Sequence, residues 1–236
     1  MSGEGQRPTK PAKRLVRPRL EADLTKAELP RDDLVDDALL SELVFVDVNF
    51  GGRSARLVDI EGCRLTGCSF AGSRLDKLTV SDSILERCDL ANAELSRGAM
   101  TRVELTACRL TGLAAPDAAW RHVLVRDCLA DLSSFRFASL ARAEWVDCRL
   151  QGADFVGADL TGAVFRRCDL TRAELSQVKA TRATFIDCTW DGIRGISSLA
   201  GATIVHGSPL DALTFTAAMA QALRITLGDP DDFPDD

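Results

Sequence analysis

The chain of 236 residues lacks the short motifs that carry most enzyme chemistry. It contains no HExxH or CxxC motif, no GxSxG nucleophile motif and no glycine-rich phosphate-binding loop. Its two histidines, His122 and His206, have no cysteine or carboxylate at the spacing of a metal site. The paired carboxylates Asp231 and Asp232 lie in a stretch that lacks the glycine and final glutamate of a calcium loop. We therefore expect no enzyme activity, no catalytic residue, no metal and no cofactor.

Long apolar runs are also missing, although 46% of the residues are hydrophobic. No stretch approaches the roughly 20 consecutive apolar residues that cross a bilayer. No basic start leads into an apolar segment and a cleavage site, so we expect neither export nor membrane attachment. The predicted location is the cytoplasm.

What the sequence does have is a repeat of five residues. Its cysteines fall on one grid, at Cys63, Cys68, Cys88, Cys108, Cys128, Cys148, Cys168 and Cys188. A large apolar residue occupies almost every fifth position from Phe45 to Trp190, usually with a small or apolar residue two positions earlier. A period of five fits neither a helix nor a strand, so it indicates a tandem repeat. The twenty-residue cysteine spacing indicates that four fives complete one coil, which predicts about seven coils.

These fives resemble the pentapeptide-repeat family of bacterial proteins, whose loose consensus is A-(D/N)-L-X-X. The resemblance is plainest in Ala153-Asp154-Phe155, Ala158-Asp159-Leu160 and Cys168-Asp169-Leu170, and it covers residues 41–204. It implies a right-handed quadrilateral parallel β-helix, an all-β solenoid. In this fold the every-fifth residue and its partner two positions earlier point inward.

The cysteines occupy slots that alanine fills in neighbouring repeats, so we interpret them as small buried hydrophobes. Cysteines on successive coils would have parallel Cα–Cβ bonds about 4.8 Å apart. A disulfide prefers Cβ atoms about 3.8 Å apart. We therefore expect free thiols.

Charge is concentrated outside the repeat. Residues 1–20 are basic and residues 21–40 acidic, whereas 41–204 hold twenty-one acids and twenty bases. Composition favours a flexible arm over 1–20, with contact to nucleic acid or to an acidic partner as the alternative. Residues 21–40 are expected to cap the N-terminal end, because a stack of coils leaves unpaired backbone groups at its ends.

A helix is predicted in residues 205–227, after the five-residue register shifts by one near Ser197. Ser208 suits the N-cap, Pro209 the first helical position, and Gly228 the residue after the end. One apolar stripe would cap the coil, and the other would widen that contact or join a second copy of the chain. The candidate cap or dimer residues are Leu213, Phe215, Met219 and Leu223. Residues 228–236 form an acidic tail.

Two walls of the predicted coil have distinctive outward residues. The Leu65 wall is centred on Leu65, Leu85, Leu105, Val125, Trp145, Phe165 and Phe185. Its outward positions include a candidate partner-contact row, namely Ile84, Leu124, Val164, Val146 and Ile186. The alternative is that β-branched residues simply suit a pleated surface. The Ile60 wall, centred on Ile60 through Ala180, gathers a moderately basic strip of Arg102, Arg121, His122, Arg142, Lys179 and Arg182.

Two functions follow from this pattern and from the resemblance. The first is a rigid protein-interaction scaffold without enzyme activity, with a protein partner that the sequence does not name. The second is a DNA-mimicking binder of type II topoisomerase (gyrase) that protects it from quinolones, as some family members resemble acidic rods joined by a C-terminal helix. A nearly neutral repeat lacks the phosphate-like charge that such mimicry requires, so we favour the scaffold. Direct nucleic-acid binding is not expected, and a thiol-redox enzyme ranks last.

Overall fold

In this computed structural model, which describes residues 15–206 and 209–222, the repeat coils into a four-walled prism. The fold is a parallel β-solenoid of about nine turns. Each coil pairs with the next at a spacing of twenty residues, so Val125 lies beside Trp145, and Trp145 beside Phe165. The inward residues form four rows, which define the Ile60 wall, the Leu65 wall, the Phe70 wall and the Leu75 wall in chain order.

Most strands are short because a wall offers only a few residues before the chain turns. The bounds are β1 (Thr25–Lys26), β2 (Leu39–Ser41), β3 (Leu43–Val46), β4 (Ser54–Arg56), β5 (Asp59–Glu61), β6 (Arg64–Thr66), β7 (Arg74–Asp76), β8 (Thr79–Glu86), β9 (Ala99–Thr106), β10 (Ala119–Arg126), β11 (Glu144–Val146), β12 (Val164–Arg166), β13 (Thr184–Ile186) and β14 (Thr203–Val205). The strands of the Leu65 wall join in the order β1-β3-β6-β8-β9-β10-β11-β12-β13-β14. Strands β8, β9 and β10 have eight residues each and continue around the corner between the Ile60 and Leu65 walls.

The interior is filled by large and small side chains in alternation. Trp145, Phe165 and Phe185 stack on successive coils, with ring centroids 6.1 and 4.9 Å apart. Beside these rings, the residues two positions earlier are fully buried alanines, Ala143, Ala163 and Ala183. Close packing of this kind leaves no channel for a ligand within the coils that the structure describes. The three tryptophans Trp120, Trp145 and Trp190 occupy every-fifth positions of the repeat, and all are buried.

The chain turns each corner through a residue with positive φ. The second residue after an inward centre takes this conformation, whether it is glycine, as at Gly157, or a bulky residue, as at Leu132 and Phe137. The left-handed region costs a non-glycine residue about 1–2 kcal/mol. Backbone hydrogen bonds between coils offset this cost, as when the Phe137 amide donates to the Val156 carbonyl at 2.9 Å. The corners therefore belong to the same ladder as the walls.

The N-terminal end of the prism is covered by residues from the acidic flank. Strand β1 pairs with β3, and the Thr25 amide donates to the Glu42 carbonyl at 3.0 Å. Leu34 is buried and joins the hydrophobic core. Nearby, the hydrogen bond from Arg31 lowers the pKa of the Asp32 carboxyl to about 2. Residues 21–40 thus supply both a strand and an apolar plug.

The C-terminal end is closed by a short 3₁₀ turn (Ile196–Leu199), by β14 and by the helix α1 (Pro209–Ala222). The predicted register shift is confirmed, because Phe185 pairs with Ile204. The Phe215 ring meets the Trp190 ring edge-on, with centroids 5.2 Å apart. Met219 packs against the same core.

The solenoid has about nine turns, where about seven were predicted. Strands β1 and β14 account for the difference because both lengthen the Leu65 wall out of phase with the repeat. Thr25 pairs with Leu43, and Thr184 with Thr203, instead of with a residue twenty positions away. A count of fives in register omits both strands.

Candidate interaction surface

The predicted partner-contact row lies on the Leu65 wall, but its members differ in exposure. Ile84, Val164 and Ile186 are half-buried and present part of their side chains to solvent. Leu124 is only 2% exposed and Val146 only 6%. Of the five residues in the row, only Ile84, Val164 and Ile186 are therefore accessible to a partner. A role in partner contact stays a prediction for all five.

A feature that the sequence did not indicate lies over the same wall. Residues 15–20, assigned by composition to a flexible arm, run along the prism, and we call this segment the strap. The Val16 amide donates to His122 Nδ1 at 3.4 Å, and Arg17 Nη1 donates to Glu104 Oε1 at 2.8 Å. The Arg19 amide donates to Asp82 Oδ1 at 3.2 Å. Residues 1–14 of the predicted arm lie outside the described residues.

The strap follows the corner at which β8, β9 and β10 pass from the Ile60 wall to the Leu65 wall. Asp82, Arg102 and His122 are the corner residues of these three strands, and all have positive φ. Arg102 forms a bidentate ion pair with Asp82, so the carboxylate that accepts the Arg19 amide is itself held in place. This ion pair also lowers the pKa of the Asp82 carboxyl.

Ion pairs between neighbouring coils occur on all four walls or their corners. On the Phe70 wall Asp89 pairs with Arg109 at 3.6 Å. On the Leu75 wall Glu174 pairs with Arg194 at 2.7 Å. Further pairs join Arg74 to Glu94, Arg97 to Asp76, Arg136 to Asp154, Arg149 to Asp131, Arg167 to Asp147 and Lys179 to Asp159. Many acids of the repeat are therefore neutralised by a basic residue of an adjacent coil.

The basic strip of the Ile60 wall is present at the surface but is not uniform. Arg102 is paired with Asp82, and Lys179 with Asp159, whereas Arg121, Arg142 and Arg182 are exposed. Burial is the largest cause that lowers the pKa of His122, and the positive charges of Arg121, Arg142 and Arg102 lower it further. The histidine is therefore neutral at pH 7 and able to accept the strap's hydrogen bond at Nδ1.

A shallow open groove of about 560 Å³ lies near the N-terminal end of the Leu75 wall. Three of its arginines face carboxylates, in the pairs Arg56–Asp36, Arg74–Glu94 and Arg97–Asp76. Each guanidinium is thus already engaged. Within residues 15–206 and 209–222, no cluster of histidine, cysteine and carboxylate side chains could hold a metal ion.

The cysteines form an internal ladder, and the prediction of free thiols is confirmed. All eight are buried, and most donate to carbonyl oxygens, as Cys148 does to Val125 at 3.4 Å. Burial raises the pKa of the Cys63 thiol. The hydrogen bond with the Cys88 thiol, together with burial, raises the pKa of Cys68. Cys63 and Cys68 are therefore packing groups in the protonated state.

The candidate helix residues lie on two sides of α1. Phe215 and Met219 pack against the end of the prism, while Leu213 is 64% exposed. Leu223 lies outside the described residues. Dimerisation through this helix stays a prediction.

Among the residues that the structure describes, no helix has both the length and the apolar character needed to span a bilayer.

Two family models match the repeat. One, described as a pentapeptide repeat region, matches residues 98–175, and another, described as pentapeptide repeats, matches residues 56–90. The chain is a pentapeptide-repeat protein. The resemblance deduced from the five-residue period is thereby confirmed.

Solved structures of pentapeptide-repeat proteins are among those to which this chain is similar. HetL, involved in heterocyst differentiation regulation in the cyanobacterium Nostoc, is 18% identical; the match covers 71% of this chain and 87% of HetL, with a TM-score of 0.34. A trypsin-treated variant of QnrB1, a plasmid-mediated fluoroquinolone resistance protein, is 20% identical to this chain. The match covers 86% of this chain and 95% of the QnrB1 chain, with a TM-score of 0.44. No curated protein matches the chain.

Proposed function

We propose that this pentapeptide-repeat protein is a non-enzymatic scaffold that binds a protein partner through the Leu65 wall. The observation that carries the proposal is the filled interior. Because the inward rows are packed from wall to wall, recognition must take place on outward residues.

The Leu65 wall is the part of that exterior best suited to a partner. It is a continuous parallel sheet and presents the half-buried apolar residues Ile84, Val164 and Ile186. Outward positions of the Phe70 and Leu75 walls carry inter-coil ion pairs, as at Asp89–Arg109 and Glu174–Arg194, whereas the Leu65 wall combines its apolar residues with the pair Arg64–Glu86. Apolar groups that share one wall favour protein contact.

The alternative of a DNA-mimicking topoisomerase binder receives less support from the charges. A mimic of DNA has to offer unneutralised negative charge along its length, because phosphate charge dominates what a DNA-binding channel recognises. In this chain the acids Asp89, Asp147 and Glu174 are each paired with an arginine of the next coil. The ion-pair ladder thus weakens the field that mimicry would need.

The proposal is tested by affinity capture from cell extract with three forms of the full chain. The wall variant carries Ile84→Asp, Val164→Asp and Ile186→Asp. The control variant adds the same charge elsewhere, through Asn92→Asp, Ala114→Asp and Ser134→Asp, which lie on or beside the Leu75 wall. Circular dichroism establishes that all three forms are folded.

We expect the wild type and the control variant to retain a partner that the folded wall variant loses. Loss from both variants would mean that added negative charge, and not the Leu65 wall, abolishes binding. Retention by all three would show that this wall is ordinary surface. Purified gyrase, assayed in parallel, tests the alternative function directly.

A further inference from the structure

The strap lies over the wall to which the scaffold function is assigned, so its contacts bear on how that wall is used. Its partners are 106, 87 and 63 residues away in the chain. They descend the prism in order, from His122 through Glu104 to Asp82. The strap therefore runs along the prism axis and crosses three successive coils.

The spacing of these contacts matches the spacing of the coils. An extended chain rises about 3.3 Å per residue, so Val16 and Arg19 are about 10 Å apart. Their acceptors, His122 and Asp82, are two coils apart, which is about 9.6 Å at one strand spacing per coil. An extended peptide can therefore meet acceptors on each coil without bending.

The contacts divide into two chemical kinds. His122 Nδ1 and Asp82 Oδ1 accept backbone amides, which any extended peptide other than proline can donate. Glu104 instead accepts the Arg17 side chain and so selects a basic residue. The proline of the strap, Pro18, falls between the two amides that are used. The track thus requires an extended backbone and one basic side chain.

Burial shows that the strap is seated on the wall. Leu15, Pro18 and Leu20 are half-buried, whereas Val16, Arg17 and Arg19 are exposed. Equivalent outward residues of the wall differ in exposure. Leu124, which pairs with Glu104 in the sheet, is buried, whereas Ile84 and Val164 are half-exposed. We attribute the burial of Leu124 to the strap that crosses beside it.

We propose that Asp82, Glu104 and His122 form a peptide-binding track, that the strap is its resident occupant, and that an extended partner segment with a basic residue opposite Glu104 displaces the strap. The strap then masks part of the partner surface until such a segment arrives. This masking role rests on the proposed scaffold function, whereas the track itself does not.

The first test measures hydrogen–deuterium exchange in the full chain, with no partner present. Arg17→Glu and Glu104→Arg each replace the ion pair by like charges, and the double variant restores it with reversed sign. Arg172→Glu is the control, because this exposed arginine lies at a corner between the Phe70 and Leu75 walls. Exchange is followed at the Val16 and Arg19 amides and, as a reference, in β10.

We expect each single variant to speed exchange at the two strap amides about three- to tenfold. The double variant should restore slow exchange, while β10 and the control variant should match the wild type. Unchanged strap exchange in both single variants would overturn the proposed track. The same conclusion would follow if the control variant released the strap equally.

The second test asks whether the track accepts a peptide in trans. A fluorescein-labelled peptide of residues 13–22 is titrated against the full-length Arg17→Glu protein, whose own strap is released. We expect it to bind this protein and to bind the wild type at least about tenfold more weakly, because a tethered strap competes at millimolar effective concentration. A peptide that itself carries Arg17→Glu should not bind.

Equal binding to both proteins, or binding to neither, would overturn the claim that a partner segment displaces the strap. Neither test involves the partner, so both can succeed when the capture experiment fails. In that case the track would stand and the scaffold function would not.

Discussion

The Leu65 and Phe70 walls follow the same interior rule but differ on the outside. On the inside, the Leu65 wall stacks Trp145 on Phe165. The inside of the Phe70 wall carries buried cysteines two positions before the buried Leu150 and Leu170. Outward, the Phe70 wall has charged residues in inter-coil pairs, such as Asp89 with Arg109. The Leu65 wall has apolar residues and a strap. The repeat thus determines what points inward, while the outward positions are free to carry function.

The largest expected effect comes from breaking the rule that both walls share. Trp145→Ala should lower the free energy of unfolding by about 3–5 kcal/mol, because it opens a cavity inside the aromatic stack. Glu144→Ala, at the adjacent outward position, should change it by no more than about 0.5 kcal/mol. Urea unfolding followed by circular dichroism measures both.

A matched variant separates packing from the polar group of the indole. Trp145 Nε1 is buried and has no hydrogen-bond partner among the described residues. Trp145→Phe should therefore lose much less stability than Trp145→Ala, since it keeps a ring in the stack and removes an unpaired donor. Similar losses for Glu144→Ala and Trp145→Ala would contradict the division between inward and outward positions.

A smaller effect is expected when the small inward positions are enlarged. Cys128→Leu on the Phe70 wall and Ala143→Leu on the Leu65 wall should each cost about 1–3 kcal/mol, because both sites are fully packed. Cys128→Ala should cost less than about 1.5 kcal/mol, since alanine fills equivalent slots such as Ala153. The same urea experiment compares them. If Cys128→Leu left the free energy of unfolding unchanged while Ala143→Leu lowered it, the interiors of the two walls would not be equivalent.

The interior could be predicted from the sequence because inward residues recur at a fixed interval. Phe165 and Cys168 could be placed inside the prism from their spacing together with the family resemblance, and both are buried. The same spacing gave Leu124 and Ile84 equal outward positions, yet only Leu124 is buried. We attribute that difference to the strap.

The strap escaped prediction because its contacts have no period. A backbone amide of Val16 bonded to a side chain 106 residues away leaves no pattern of residue types along the chain. The extra strands β1 and β14 were missed for a related reason, since they pair out of phase with the repeat. Whether the helix residue Leu213 joins a second copy cannot be deduced from spacing either, because an exposed leucine has no periodic partner.

The smallest predicted effect concerns the pH dependence of the strap. The Val16 amide needs an unprotonated Nδ1 on His122, whose pKa is lowered from 6.5 by burial and by the nearby arginines. With the strap in place the histidine binds a proton less readily than it does when free. The strap's contact with His122 is therefore fully present above about pH 6.5 and is lost as the pH falls through the lowered pKa. Protection of the Val16 amide should fall about two- to fivefold between pH 7.5 and 5, after correction for intrinsic exchange.

The remaining charged groups around His122 make an internal control possible. The positive charges that act on His122 belong to Arg102, Arg121 and Arg142, and the strap contributes Arg17 and Arg19. Asp82 stays ionised because its pKa is lowered, so the Arg19 amide should lose less protection than Val16. His122→Gln, which offers an acceptor but does not titrate, should remove the pH dependence at Val16. If that variant kept the same pH profile, a group other than His122 would control the protection of the Val16 amide. The strap-covered wall would then differ from the ion-paired wall in its contacts but not in its response to pH.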